Sequence, residues 1–417
     1  MENRRLGMVL ILVLSLLTVE LRIWRLDVVP TFRDSEIYLV PAAYNYDVTG
    51  QETPDNWYLT PLRHIIMQWS IAVFGNNPYG WRMRNAIFGV MGVLLIYLIA
   101  KRIFEDRKTA FLAALLLSLD ALYLRYSRAS HGEIMAVVFI LSALYCVLRY
   151  SGRSMLPLLG AGVFLGLANA VKWYFLPAQL ILLILIISRI YRMKKPSLQP
   201  ILAAVLAFTI LPFSIYALTF YNWFGRGFGL SDFIAFHSDA YRVMQGLTLE
   251  AVPGFYPEMI KHSGNFSGWF LRPVIFGYQN WSDGKTGVYD IVMNNFPLVL
   301  LVLPAVLFLL YKSIRTRSES KLLVAVLFLS TYLQFLLAKR PIWIYSAIPL
   351  LPFGYLAVAF LAASILEKIK HSSRLFLFLT AVIILYGLYL FPFINSFPVS
   401  EALYAPLRAI GHIEKGS

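Results

Sequence analysis

The segment Leu6-Gly-Met-Val-Leu-Ile-Leu-Val-Leu-Ser-Leu-Leu-Thr-Val-Glu-Leu21 decides how this chain folds, because it begins a long series of apolar runs. The loop after it reads Thr31-Phe-Arg-Asp-Ser-Glu-Ile-Tyr38, with two carboxylates separated by one residue. The whole chain is 59% hydrophobic and 14% charged, whereas about 25% of the residues of a soluble domain are charged. We therefore predict an all-α polytopic integral membrane protein with this acidic loop just outside the bilayer.

The apolar runs give the number of predicted spans. A spanning helix needs about 20 apolar residues, and we count about eleven candidates. They cover residues 6–24, 83–102, 108–124, 132–149, 155–171, 174–190, 199–220, 296–312, 320–338, 342–364 and 375–393. Residues 154–190 are too long for one span at about 1.5 Å per residue, so we interpret them as a tight hairpin. The first segment lacks a small-residue cleavage site, which predicts an uncleaved span.

The distribution of charge predicts the orientation. With a cytoplasmic N-terminus, the cytoplasmic segments hold about half of the 37 Lys and Arg residues but fewer than a quarter of the 22 Asp and Glu residues. Basic residues concentrate on the cytoplasmic side of membranes, so we expect this orientation in a cell membrane. The net charge of +15 is then explained by the membrane orientation and by contact with membrane lipid, and it requires no nucleic-acid partner.

Two long segments are expected to face outside, at residues 27–80 and 221–294. Both are rich in aromatic residues, Gly and Pro, and neither indicates a separate soluble domain. Leu62–Phe74 is apolar but too short to span, which is typical of an interfacial helix. We therefore predict one transmembrane domain, 1–417, in which the first external loop carries the chemistry.

Asp34 and Glu36 are the candidate catalytic residues. A carboxylate at the membrane surface can act as a general base towards a hydroxyl group. Trp57 and Tyr58 lie near them in sequence and are candidates for substrate contact. The alternative is that these are ordinary solvated loop carboxylates.

Cationic groups recur at the predicted external turns. They lie in Gly80-Trp-Arg-Met-Arg-Asn85, Arg125-Tyr-Ser-Arg-Ala-Ser-His-Gly-Glu-Ile134, Lys172-Trp173, Gly268-Trp-Phe-Leu-Arg-Pro-Val274 and Lys339-Arg-Pro-Ile-Trp-Ile-Tyr345. Guanidinium and ammonium groups bind phosphate, so the pattern favours recognition of a lipid-linked phosphate. Anchoring at the headgroups and a local Arg128–Glu133 ion pair are the structural alternatives.

In this order the motifs resemble the protein O-mannosyltransferase family of C-type glycosyltransferases, over most of the chain. The resemblance rests on Asp34-Ser35-Glu36, Leu59-Thr60-Pro61-Leu62, Gly80-Trp81-Arg82, Ser127-Arg128 with Glu133-Ile134, Lys172-Trp173, Arg272-Pro273, and Arg340 with Pro349. Lipid-linked arabinose transferases are similar but more distant. The family acids are adjacent, whereas Ser35 separates them here, and the second element lacks the His and first Pro of the family. The short second external segment indicates a minimal prokaryotic form.

The resemblance implies an inverting hexosyltransferase. It would move a sugar, usually mannose, from a dolichyl or polyprenyl phosphate donor to Ser or Thr hydroxyls of proteins at the external face. Either Asp34 or Glu36 would accept the hydroxyl proton, through an oxocarbenium-like transition state. The residues expected to hold the donor phosphate are Arg82, Arg128, Lys172 and Arg340, and those expected to contact substrate are Trp57, Tyr58, Glu133, Trp173 and Arg272. No metal ligand or cofactor is assigned, although the external acids leave a divalent cation open.

Three alternatives remain at this point. A lipid or a surface glycan is an alternative acceptor within the same superfamily. A transporter of lipid-linked sugars would have polar or broken helices near mid-membrane, and the sequence offers one such break at Asn169. A non-catalytic membrane scaffold would not need an acidic loop opposite several cationic turns. The sequence also leaves a dimer open.

Overall fold

The computed structural model describes residues 2–49, 60–152, 154–192, 198–246, 266–282, 285–338 and 342–410, and these are mostly helical, as predicted. The N-terminal half contains α1 (Glu2–Ile23), α2 (Glu36–Thr49), α3 (Pro61–Phe74), α4 (Pro78–Phe104), α5 (Arg107–Ser118), α6 (Ala121–Ser127), α7 (Gly132–Arg149), α8 (Leu156–Asn169) and α9 (Leu176–Tyr191). It is followed by α10 (Leu198–Phe208), α11 (Ile210–Leu218), α12 (Tyr221–Gly225) and α13 (Leu230–Gly246).

The C-terminal part combines helices with a small sheet. It contains β1 (Ile275–Ser282), β2 (Thr286–Met293), α14 (Val302–Arg315), α15 (Glu319–Leu333), α16 (Leu351–Leu366), α17 (Ser372–Ile394), β3 (Pro398–Ser400) and α18 (Glu401–Ile410). Short 3₁₀ turns at Leu298–Leu301, Gln334–Leu337 and Ile344–Leu350 extend α14, α15 and α16. Two more 3₁₀ turns lie at Trp173–Phe175 and Phe266–Gly268.

The apolar helices identify an integral membrane protein. Within the described residues, seven helical segments are long and apolar enough to cross a bilayer, or eight if the bent pair α5 and α6 forms one span. The seven are Pro78–Phe104, Gly132–Arg149, Leu198–Leu218, Leu298–Arg315, Glu319–Leu337, Ile344–Leu366 and Ser372–Ile394. α8 and α9 are shorter apolar helices, so the hairpin expected over 154–190 consists of two helices, and the number of about eleven spans stays a prediction.

Helix α7 lies at the centre of the bundle. Of its 18 residues 83% are buried inside the bundle, and it packs against α4 and α8. α8 in turn packs closely on α10 and α11 through two glycines. A Cβ atom on Gly162 would collide with the carbonyl oxygen of Ala207, and one on Gly166 would lie 2.6 Å from the side chain of Ile215. Small residues permit this approach of helix backbones in membranes, so these two positions fix the helix spacing.

The predicted span 108–124 is bent by 63° between α5 and α6. Asp120 causes the new helix start: its Oδ1 accepts the backbone N–H of Tyr123 at 2.7 Å and caps α6. Its Oδ2 accepts the hydroxyl of Tyr355 on α16 at 2.5 Å. The buried carboxylate therefore fixes where α6 begins, and α6 carries residues of the site described below.

The second predicted external segment contributes two strands to a sheet that the all-α prediction did not include. β1, β2 and β3 form an antiparallel sheet in that order, with Ile275 opposite Met293 and Thr286 opposite Ser400. β2 is rich in β-branched and aromatic residues, which suit a half-buried strand. It packs against α6 and α17 and so brings the sheet to the acidic loop.

In the first predicted external segment, the expected apolar helix is present as α3. Trp69 and Val73 are 69% and 73% exposed on its outer face, while Arg63 and His64 are buried. An exposed apolar face beside a bundle is what an interfacial helix offers to lipid. Its placement at the membrane surface stays a prediction.

Candidate functional site

Asp34 lies in the turn between α1 and α2, where it is accessible. Its φ of +50° is uncommon for a residue with a side chain. Its Oδ2 accepts the hydroxyl of Tyr126 at 2.8 Å and faces Nη1 of Arg125 at 3.5 Å, while its Oδ1 accepts the Ser35 hydroxyl at 3.3 Å. The side chain is 10% exposed. It is therefore oriented by α6 while one edge stays open to a substrate.

Glu36, at the start of α2, is in a different environment because its side chain is 0% exposed. Its Oε1 accepts Nε of Arg82 at 3.0 Å and the backbone N–H of Ser130 at 3.0 Å. Its Oε2 accepts Nη2 of Arg82 and the backbone N–H of Arg33, both at 2.9 Å. Both oxygens are thus saturated by protein donors, which leaves no room for a proton from a substrate.

Arg82 is the partner that closes this network. Besides gripping Glu36, its Nη1 donates to the carbonyl oxygens of Leu26 and Val29 at 3.1 and 2.7 Å, and its Nη2 donates to that of Thr31 at 2.8 Å. The side chain is 0% exposed. These contacts support a structural role that ties the acidic loop to α4, in place of the predicted grip on a donor phosphate.

Arg128 is also directed to the protein. Its Nη1 donates to the carbonyl oxygens of Leu21 and Trp24, both at 2.9 Å, and its Nη2 donates to that of Arg25 at 3.0 Å. The last carbonyls of a helix have no partners within the helix, and a cation there satisfies them. Arg128 is therefore a cap for the end of α1, and this geometry favours neither the predicted phosphate contact nor the Arg128–Glu133 pair.

Asp290 on β2 was missed by the sequence analysis and belongs to this site. One of its oxygens, Oδ1, accepts Nη2 of Arg33 at 2.6 Å and Nη2 of Arg125 at 3.0 Å. Burial raises the pKa of this carboxyl, but attraction to Arg125 and Arg33 outweighs burial and lowers the pKa to about 2. Arg125 consequently contacts two carboxylates, Asp290 and Asp34.

A second charged group surrounds Lys172. Its Nζ lies 2.9 Å from Oε1 of the buried Glu133, whose Oε2 is hydrogen-bonded to His131 Nδ1. The Lys172 side chain is 19% exposed, and its Nζ lies 5.8 Å from the ring centre of Tyr345. His131 packs against Tyr345 and Tyr126 at centroid distances of 4.5 and 4.8 Å. Because Tyr126 also donates to Asp34, a chain of contacts through Tyr126 and His131 connects the two charged groups.

Trp173, next to Lys172, points towards α13. Its indole Nε1 donates to the hydroxyl of Tyr216 at 3.3 Å, and that hydroxyl lies 2.6 Å from Nε2 of His237. His237 Nδ1 lies 2.6 Å from the carbonyl oxygen of Phe233. A carbonyl only accepts, so Nδ1 carries the proton and Nε2 accepts from Tyr216. Trp173 therefore joins the Lys172 turn to the second predicted external segment, and it is 36% exposed beside that turn.

The other predicted site residues have different outcomes. Trp57, Tyr58 and Arg340 lie outside the described residues. Arg272 lies in the turn before β1 with an exposed side chain, and its carbonyl oxygen accepts Nδ2 of Asn294 at 2.9 Å. The structure therefore brings Asp34, Glu133 and Lys172 together, and adds Arg125, Tyr126, His131 and Asp290. Of these additions, Arg125, Tyr126 and His131 lie in a turn that was already conspicuous in the sequence.

The arrangement of the described acidic, His and Cys side chains also bears on metal binding. Within the part of the chain that the structure describes, no group of three or more His, Cys, Asp or Glu side chains is placed to hold a metal ion. A requirement for a divalent cation stays untested, and no step proposed below is assigned to one.

Known proteins resemble this chain in sequence. A family model described as dolichyl-phosphate-mannose-protein mannosyltransferase matches residues 63–225. A polyprenol-phosphate-mannose–protein mannosyltransferase of Mycolicibacterium smegmatis is 24% identical, over 80% of this chain and 77% of the relative. A protein of the same description from Mycobacterium tuberculosis is 26% identical, over 48% of this chain and 47% of the relative.

Solved structures show the same fold. A chain of the S. cerevisiae protein O-mannosyltransferase Pmt1-Pmt2 complex, bound to the sugar donor, matches with a TM-score of 0.79 at 12% identity. The match covers 98% of this chain and 93% of that chain. ArnT from Cupriavidus metallidurans, bound to undecaprenyl phosphate, matches with a TM-score of 0.59 at 14% identity, over 91% of this chain and 64% of ArnT. The chain has the C-type glycosyltransferase fold, and the resemblance to the protein O-mannosyltransferase family predicted from its motifs is confirmed.

Proposed function

We propose that the protein transfers mannose from a polyprenyl phosphate donor to Ser or Thr hydroxyls of proteins, with inversion at the sugar carbon. The names of the relatives support the donor and the acceptor. The observation that carries the proposal is the site itself. It holds one accessible carboxylate oriented by a tyrosine and an arginine, and a partly exposed lysine connected to it through Tyr126 and His131.

Asp34 is the proposed general base. A base must be reachable by the proton that it accepts, and Asp34 is accessible whereas Glu36 is enclosed by Arg82 and backbone amides. The hydrogen bond from Tyr126 and the contact with Arg125 fix the direction of the carboxylate. Holding the base in place before the reaction saves the entropy of positioning it.

Lys172 is the proposed contact for the donor phosphate. As the sugar–phosphate bond breaks, negative charge grows on the phosphate oxygens, and a fixed cation stabilises that charge. Lys172 is exposed enough to reach a ligand, while Glu133 and the ring of Tyr345 hold its ammonium group in position. A substrate phosphate would then extend an ion pair that already exists in the protein.

The proposed reaction balances in one displacement. The acceptor hydroxyl oxygen forms a bond to the sugar C1 on the face opposite the phosphate, and its proton passes to Asp34. The bond between C1 and the phosphate oxygen breaks, and its electron pair leaves with the phosphate. In this account the Glu36–Arg82 pair and Arg128 build the loop that holds Asp34, and neither touches substrate.

We place this chemistry at the external face. The support is the charge asymmetry of the sequence, because the basic segments assigned to the cytoplasm lie at the opposite ends of the predicted spans. A lipid-linked donor could then enter sideways from the outer leaflet.

The test is a transfer assay with purified protein, a polyprenyl phosphate mannose and a Ser/Thr-rich peptide, analysed by mass spectrometry. We expect a hexose on a peptide hydroxyl for the wild type and at least about a 100-fold slower transfer for Asp34→Asn. Asp239→Asn is the matched control, since Asp239 forms a local surface pair with Arg242. Transfer to lipid but not to peptide would refute the protein acceptor, and an active Asp34→Asn variant would refute the base.

A further inference from the structure

The inference concerns Asp290, the carboxylate on β2 that shares a guanidinium group with Asp34. We infer that Asp290 sets the basicity of Asp34 by taking up part of the positive charge of Arg125. This inference rests on the proposed role of Asp34 as the base. Asp290 itself is a positioning residue, because it acts on the reaction through Arg125.

The geometry shows how the charge is divided. Arg125 presents Nη2 to Asp290 at 3.0 Å and Nη1 to Asp34 at 3.5 Å, so its closer contact is with Asp290. Arg33 binds the same oxygen of Asp290 at 2.6 Å, and its Nη2 also donates to the carbonyl oxygen of Ile394 at 3.0 Å. Two guanidinium groups and two carboxylates thus meet in one cluster, in which Asp290 contacts both cations.

Two of the neighbouring cations, Arg82 and Arg128, are engaged elsewhere. Several elements around Asp34 and Asp290 carry titratable groups. They include Arg22, Arg25 and Asp27 near the end of α1, Arg33, Glu36, Arg82 on α4, Asp120, Tyr123, Arg125, Tyr126 and Arg128 on and beside α6, His131, Glu133, Tyr289 on β2, Tyr386 and Tyr389 on α17, and Glu401, Tyr404 and Arg408 on α18. Arg82 binds Glu36, and Arg128 binds the carbonyls of α1. Arg125, by contrast, contacts Asp34 directly and is also bound by a second acid, Asp290.

The consequence for chemistry follows from electrostatics. A carboxylate that faces an unshared guanidinium holds its negative charge more tightly and has a lower pKa, which makes it a weaker base. Asp290 competes for that guanidinium and adds its own negative charge nearby. Both effects weaken the attraction of Arg125 for the negative charge of Asp34.

Asp290 also anchors the sheet to α6, so a structural role needs to be distinguished from the electrostatic one. Glu401 provides the matched control, because it anchors the same sheet from α18. Its Oε1 accepts the hydroxyls of Tyr289 and Ser282, and its Oε2 lies 2.5 Å from Arg408. Tyr289 is the neighbour of Asp290 on β2, yet Glu401 contacts neither Arg125 nor Asp34.

The experiment is the pH dependence of kcat/KM for peptide mannosylation by the full-length protein, from about pH 4 to pH 8. The charge account predicts opposite shifts for two variants. Asp290→Asn moves the acid limb of the kcat/KM profile to lower pH by about one unit and lowers its plateau, because Arg125 then interacts with Asp34 alone. Arg33→Gln moves the acid limb to higher pH, because Asp290 then draws Arg125 more strongly.

Two further variants complete the test. Asp290→Glu keeps the charge and leaves the acid limb near its wild-type position. Glu401→Gln also leaves the acid limb at its wild-type pH, even if it slows the transfer. If Asp290→Asn is not recovered folded, Arg33→Gln and Asp290→Glu still decide the question. If Asp290→Asn and Arg33→Gln only slow the transfer and their acid limbs stay at the wild-type pH, the inference is overturned. A wild type without transfer, or an active Asp34→Asn variant, would instead refute the proposed function, and the inference with it.

Discussion

Replacing Glu36 by Gln separates the two acids of the first loop more sharply than any other change. The carboxylate of Glu36 is fully buried and accepts only from donors: Arg82 through Nε and Nη2, and the backbone amides of Arg33 and Ser130. A glutamine places an NH₂ group where one of the two oxygens was. In either orientation of the amide, a donor then faces a donor.

The expected magnitude follows from these contacts. Removing one partner of a buried ion pair typically costs about 3–5 kcal/mol, because the other charge stays buried without compensation. A protein of 417 residues unfolds with an entropy near 2.1 cal/mol/K per residue, so this cost corresponds to a fall in Tm of roughly 3–6 °C. Asp34→Asn is expected to lower Tm by less than Glu36→Gln does, because the carboxamide can still accept from Tyr126 and Arg125 keeps its closer contact with Asp290.

The assay is thermal unfolding of both variants in the same detergent, monitored by intrinsic tryptophan fluorescence, together with their transfer rates. Glu36→Gln should lose stability, and the fraction that remains folded should keep measurable activity. Asp34→Asn should be more stable than Glu36→Gln and should lose transfer. A stable but inactive Glu36→Gln variant, beside an active Asp34→Asn variant, would reverse the two roles and refute the reasoning.

Three further predictions concern the neighbours of Asp34. Tyr126→Phe removes the hydrogen bond to the base, so we expect kcat to fall about 10-fold with the KM for the donor unchanged. A KM for the donor that rises by the same factor as kcat falls would contradict this. Lys172→Ala should weaken binding of a polyprenyl phosphate at least 10-fold in a titration, whereas Lys172→Arg should keep most of the affinity; equal affinities of all three proteins would exclude Lys172 from the donor site. Asp290 has a folded pKa of about 2 against an ordinary 3.8, so it contributes about 2 kcal/mol of stability that is present above about pH 4 and lost as the pH falls towards 2. Acid titrations of Tm should therefore be steeper in this range for the wild type than for Asp290→Asn.

The sequence predicted the helical membrane architecture well, because apolar runs report burial in lipid or in a bundle directly. It did not predict where the runs bend. The run 108–124 is apolar apart from a few polar residues such as Ser118 and Asp120. Its 63° bend depends on Asp120, which caps α6 and accepts the hydroxyl of Tyr355 from a distant helix. The sheet was missed for a related reason. The Asp283-Gly284 dipeptide is a hairpin signal, but the strands beside it are stabilised by packing on α6 and α17, which one sequence does not show.

The candidate site was predicted in part. A loop with two carboxylates was identifiable, but the choice between them depends on Arg82, which lies 46 residues from Glu36. An arginine motif that could bind phosphate can equally bind the carbonyls of a helix end or a buried acid. For Arg82 and Arg128 the tertiary contacts favour such a structural role. Asp290 lies 257 residues from Arg33, so no local pattern could have connected it to the acidic loop.

The measurement that tests the central claim most directly is single-turnover mannosylation by Asp34→Asn, combined with donor binding by the same preparation. The account predicts donor binding within about twofold of the wild type and transfer slower by at least about 100-fold, since the carboxamide of the variant could orient a substrate but not accept its proton. Transfer at the wild-type rate with intact donor binding would contradict the claim that Asp34 is the base.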